Sequence, residues 1–174
     1  ELLNQSELIS STAYTDFPAG TEHVPYYYRL TSVTDAGIES ELSDEVMGLA
    51  DSLLPTAATI TYARREGTES VDMETGDAFA PGMYDMVITV SEALQATPFV
   101  SINPEGGFPI PVEVSQLSDG SYRGQFEISN TTVTASASAV FSGYDLAGNK
   151  GTEVENGKII NIDTNGPAIS RLAL

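Results

Sequence analysis

The chain of 174 residues has no cysteine, no tryptophan, a single histidine and only seven Lys+Arg residues. Each shortage excludes a class of chemistry. Without thiols there are no disulfides, no thiolate metal sites and no cysteine nucleophile. His23 would have to serve any histidine-based triad or zinc site alone, and no Gly-x-Ser-x-Gly elbow accompanies it. Two lysines, Lys150 and Lys158, and five arginines, of which only Arg64-Arg65 are adjacent, cannot build the cationic patch that phosphate backbones require. Nucleic acid is therefore not an expected partner, and an anionic membrane surface is disfavoured for the same reason. No apolar run approaches the roughly 18–20 residues of a spanning helix, so membrane insertion is not expected. Glu1-Leu2-Leu3-Asn4 lacks the basic start of a secretion signal. Paired carboxylates remain as a route to glycosidase-type chemistry. Asp145 with Asp163, or Glu66 with Glu69, would be such pairs, but 25 acidic residues supply pairs by chance. The chain reads as a non-enzyme.

What is abundant is acid and strand-forming sequence. The 25 Asp+Glu give a formal charge of −18, which keeps domains soluble and apart. With 41% hydrophobic residues the chain can still bury a core. Short runs of Val, Ile, Thr, Tyr and Ser recur between Gly, Pro, Asn and Asp, the pattern of an all-β, antiparallel β-sandwich. The expected strands are 12–17, 26–34, 41–49, 58–65, 83–91, 98–103, 110–116, 122–129, 135–144 and 152–162. Period-two alternation places Met86, Ile88 and Val90 on one face, and Ile160 and Ile162 on another. Asp119-Gly120 and Asn156-Gly157 are both hairpin dipeptides.

An internal repeat organises the chain. The segment Thr34-Asp35-Ala36-Gly37-Ile38-Glu39-Ser40 matches Tyr144-Asp145-Leu146-Ala147-Gly148-Asn149-Lys150, pairing Asp35 with Asp145. Each copy follows an aromatic-containing strand and precedes one more strand. Then Asp51-Ser52-Leu53-Leu54-Pro55 matches Asp163-Thr164-Asn165-Gly166-Pro167, both Asp-x-x-x-Pro. The two linker aspartates lie roughly 110 residues apart, the length of one sandwich domain. The expected organisation is the end of one domain over 1–50, a complete sandwich over 51–163, and over 164–174 a linker with the first strand of a following unit. Three strands do not easily bury a core alone. The first segment thus expects a partner: neighbouring domains of the same polypeptide, or copies of itself exchanging strands in a filament.

Ser11–Asp16, Tyr26–Val33 and Asp35–Ser43 together resemble the C-terminal half of a bacterial fibronectin type III domain. Tyr28 falls at that family's corner tyrosine, whose hydroxyl bonds to backbone upstream. Residues 55–167 resemble the bacterial immunoglobulin-like domains of large surface adhesins, through Tyr144–Asn149 and the exit Ile162-Asp163-Thr164-x-x-Pro167. The resemblance implies a structural spacer in a secreted or cell-surface protein. Its alternatives are a module for glycans or a cell surface, or an accessory domain of a secreted hydrolase or toxin. In some such adhesins linker aspartates bind calcium. Asp163, Asp145, Asn149 and Asp51 are the candidate ligands here, although Leu53-Leu54 departs from the usual small polar linker. Calcium takes six to eight oxygens from carboxylates, amides and carbonyls, which these residues offer. The competing duty is turn chemistry, since Asp and Asn bond local backbone readily. Consecutive Tyr26, Tyr27 and Tyr28 leave at least one ring facing away from a core, a surface on which a sugar could stack.

Overall fold

A computed structural model describes residues 8–14, 16, 24–74 and 76–167. The chain forms two compact units, Glu1–Leu53 and Leu54–Leu174.

In the first unit, β1 (Val24–Tyr28) and β2 (Val46–Ala50) make an antiparallel ribbon with Tyr26 opposite Gly48. These strands are shorter than the expected 26–34 and 41–49. Between them, serine hydroxyls take over from a ladder: Leu30 N donates to Ser43 Oγ at 2.9 Å and Ser32 N to Ser40 Oγ at 2.9 Å. Serine competes for backbone donors in this way and ends strands early. The expected strand over 12–17 is absent among its described residues, and Thr15 and Phe17 lie outside them, as does His23. The Tyr28 hydroxyl donates to the Asp16 carboxylate at 3.0 Å rather than to backbone. None of this unit's described side chains is buried.

The second unit is an all-β sandwich. Its strands are β3 (Thr56–Glu66), β4 (Glu69–Asp72), β5 (Ala78–Phe79), β6 (Gly82–Val90), β7 (Phe99–Pro104), β8 (Ile110–Pro111), β9 (Val114–Gln116), β10 (Tyr122–Ile128), β11 (Ala135–Tyr144), β12 (Lys150–Gly151), β13 (Glu153–Val154) and β14 (Ile159–Ile162). One sheet runs β13-β3-β6-β10-β9, with β4 on β3. The other runs β5-β14-β11-β7-β8, with β12 on β11. Alternation works as expected in β10, where Tyr122, Phe126 and Ile128 are buried and Arg123, Gln125 and Glu127 are exposed. Tyr62, Tyr84, Met86 and Ile88 from the first sheet meet Phe79, Ile102, Phe141 and Ile160 from the second in one core. The rings interlock, with Tyr84 stacked on Phe126 at 5.6 Å between centroids and Tyr62 edge-on to Phe79 at 5.4 Å. Such pairs add to the area they bury.

Two expectations change. The single strand over 110–116 is split, because β8 pairs with β7 in one sheet and β9 with β10 in the other. Asp119-Gly120 does turn a hairpin, with Gly120 at φ 87°. Asn156-Gly157 does not: it carries the chain from β13 in one sheet to β14 in the other. The left-handed glycine that suits a hairpin also suits this crossing, so the dipeptide alone does not decide between them.

The topology fixes where the chain enters and leaves this unit. Pro55 precedes β3, whose first residues Thr56 and Ala57 run parallel to Glu153 and Val154. Gly151 beside them pairs with Gly143, near the C-terminal end of β11. At the other end of β11, Ala135 pairs with Ile162, the last residue of β14. Thr164 is pinned there, its N–H donating to Thr134 Oγ1 at 3.0 Å. Entry and exit therefore sit at opposite poles. The ten residues of β11 separate them, roughly 30 Å at about 3.3 Å per residue.

Candidate functional site

Asp145 sits at the entry pole, directly after β11, and is completely buried. Its Oδ1 accepts the Asn149 N–H at 2.8 Å and its Oδ2 accepts Asn149 Nδ2 at 2.8 Å. Its carbonyl accepts the Gly148 N–H at 3.2 Å, and its own N–H donates to the Asn149 carbonyl at 3.1 Å. Burial pushes the carboxyl up. The bonds from Asn149, with the N–H groups of Gly148 and Ala147, more than offset that and hold it below the ordinary carboxylate range. Of the expected ligand set, Asp145 and Asn149 are thus brought together, and what joins them is hydrogen bonding within one turn.

The first copy of the repeat has the same turn, shifted by one residue. Thr34 N donates to the Ile38 carbonyl at 3.0 Å, Gly37 N to the Thr34 carbonyl at 2.8 Å, and Ile38 N to Thr34 Oγ1 at 3.1 Å. Thr34, not Asp35, holds the place of Asp145, and Ile38 that of Asn149. Gly37 and Gly148 both take positive φ, 79° and 95°. A hydroxyl and a carboxylate cap the turn in the same manner, so the site-like residue of one copy has an uncharged counterpart in the other.

The linker aspartates also match. Asp51 Oδ1 accepts the Leu53 N–H at 3.0 Å, and Asp163 Oδ1 accepts the Asn165 N–H at 3.0 Å. Both are Asx turns that bend the chain two residues on. Asp163 lies at the exit pole, where its N–H donates to the Phe79 carbonyl at 3.1 Å. It is a strand's length from Asp145, so the two share neither a ligand set nor a pair of catalytic carboxylates. Glu66 and Glu69 face each other across the β3–β4 hairpin as exposed side chains, outside any cleft.

A second charged centre escaped the sequence reading. Asp85 lies on the outer face of the first sheet yet is only 4% exposed. Ser70 Oγ and Gln125 Nε2 each donate to it at 2.8 Å. The guanidiniums of Arg123 and Arg65 approach the same carboxylate oxygen at 3.3 and 4.0 Å. Burial raises this carboxyl's proton affinity. The two hydrogen bonds and the two arginines outweigh burial, and the group titrates below its ordinary range. Four strands, β4, β3, β6 and β10, are tied together at this point. Alternation in β6 marks Asp85 as outward-facing, but only the strand order brings Arg65, Ser70, Arg123 and Gln125 around it.

No family model, curated protein or solved structure matches this chain. Among the described residues there is no helix, hence none long and apolar enough to cross a membrane.

Two measurements test these assignments. With the Asp145 carboxylate occupied by internal donors, thermal unfolding should give the same midpoint in millimolar calcium, in magnesium and in chelator. A rise of several degrees specific to calcium would instead make Asp145, Asn149, Asp51 or Asp163 ligands. For Asp85, a lowered folded pKa means that its stabilisation is present above the unfolded value of about 3.9 and is lost as pH falls through the folded value. Asp85→Asn should therefore cost about 1–3 kcal/mol at neutral pH. Urea midpoints of the variant should also fall less steeply below about pH 4 than those of the parent, because the substitution removes that titration.

Proposed function

We propose that this chain is a non-catalytic structural spacer within a larger secreted or cell-surface protein of the adhesin-array kind. The observation that supports the reading is the pole-to-pole path of the second unit. A domain that takes in the chain at one end and releases it at the other adds its own length to whatever it joins. Pro55 and the Asx turn at Asp163 restrict the backbone, and Thr164 is bonded to Thr134 and to the Thr132 carbonyl. The charge of −18 suits a polypeptide of many such modules, which must not adhere to one another. Neighbouring domains of the same polypeptide are the natural partners of such a module.

A second reading, neutral-glycan binding, has one observation in its favour. On the outer face of the second sheet, Phe99 lies opposite Ser142, and Tyr144 is two residues further along the same face. The two rings are 59% and 48% exposed. Ser138 and Asn103 are paired on the same face, and an apolar groove lined by Pro98, Pro111 and Val112 adjoins Phe99. Aromatic rings beside hydroxyl and amide groups suit stacking on sugar.

The absence of cysteine makes the spacer reading accessible to site-specific labels. Spin labels on Leu54→Cys and Asn165→Cys should give one narrow distance distribution centred near 30 Å, the strand-length estimate. A short or broad distribution would remove the spacer reading. Glycan-array binding that is abolished by Phe99→Ala would put the second reading ahead. Binding that is absent, or unchanged by that substitution, would dismiss it.

A further inference from the structure

Two glycines bring the exit segment against the entry strand with no side chain between them. A Cβ on Gly151 would overlap the Pro55 carbonyl, and one on Gly157 would overlap the Ile60 carbonyl. Residues 153–157 consequently lie flush along residues 56–62, running in the same direction. The bonds between the two segments are continuous. Glu155 N donates to the Ala57 carbonyl at 3.0 Å, and Ile60 N donates to the Asn156 carbonyl at 2.9 Å. Asn156 Nδ2 donates to the Ala58 carbonyl at 3.0 Å, and the Tyr62 hydroxyl donates to the Gly157 carbonyl at 2.8 Å. Thr56 Oγ1 closes the row on Glu155 at 2.6 Å.

We infer that this patch is a mechanical clamp, and that the second unit is built to carry tension along the polypeptide. The inference rests on the spacer reading, because only a chain stretched from pole to pole loads the patch. Tension pulls β3 back toward the entry pole and draws residues 153–162 toward the exit pole. The two segments run parallel and side by side, so the load slides one past the other. Bonds lying across the sliding direction resist together, whereas bonds in a hairpin opened from its end break in turn. The five bonds tie the start of β3 to the segment that leads, through the crossing at Asn156-Gly157 and then β14, to Asp163. Rupture under load is governed by the unfolding rate, so bonds that must all break before the first slip set the strength of the module.

The experiment is single-molecule stretching of the full chain through cysteine handles. With handles at Leu54→Cys and Asn165→Cys the patch is sheared. With handles at Leu54→Cys and Asp119→Cys, both toward the entry pole, the same strand is peeled. Shearing should need at least twice the force of peeling at equal loading rate. Tyr62→Phe with Asn156→Ala removes two of the five bonds without adding bulk, and should lower the shearing force by a third or more. Val112→Ala, which thins the core at the distant β8–β9 edge, serves as a control that lowers thermal stability while leaving the shearing force nearly intact. Equal forces in the two geometries, or equal losses in the double variant and the control, would overturn the clamp. The label distance between residues 54 and 165 separates the two ideas. A long distance with equal forces would defeat the clamp alone, and a short distance would defeat the spacer reading with it.

Discussion

Backbone contact between the first and last segments of the second unit is the constraint on which its architecture depends. Gly151 against Pro55 and Gly157 against Ile60 leave no room for even a methyl group. Because these segments touch, residues 153–157 join the first sheet beside β3. The chain must then cross at Asn156-Gly157 to finish as β14 in the second sheet. The parallel pairing of β13 with β3 goes with that proximity. It is also a contact of very long sequence separation, the kind whose loop-closure entropy slows folding.

The charged groups show how a strongly acidic chain tolerates burying carboxylates. Asp145 is buried at the end of β11 and Asp85 on the outer face of the first sheet. Each would be costly without partners. Asp145 is held by donors from its own turn, which makes it a local solution that Thr34 reproduces with a hydroxyl in the other unit. Asp85 is held by side chains from three other strands, so it depends on the assembled sheet. Two of the chain's seven cationic residues converge on that one oxygen. Cation placement here serves the cohesion of the sheet.

The repeat was readable because turn chemistry is local. Gly37 and Gly148 need positive φ, and a side-chain oxygen three residues before each caps the turn. Residue identity pairs Asp35 with Asp145. Hydrogen-bond roles align Thr34 with Asp145, since a threonine hydroxyl and an aspartate carboxylate accept the same N–H. The linker aspartates behave alike in both copies for the same local reason. The strands β4, β5 and β12 were not legible, because two- to four-residue strands carry too little alternation to stand out from loops.

The sequence by itself determined the class of the fold and most of its long strands. Alternation in β6, β10 and β11, and the glycine and aspartate turns between them, are properties of a few adjacent residues. It also determined that the chain holds no cysteine and hence no thiol chemistry. Only the tertiary structure decided which strands are neighbours. With that it decided that 110–116 and 153–162 switch sheets, that Asp163 and Asp145 stand at opposite poles, and that Asp85 gathers two arginines. Those outcomes depend on pairings between residues far apart in the chain. A period-two pattern specifies which face of a strand is buried and is silent about which strand lies beside it.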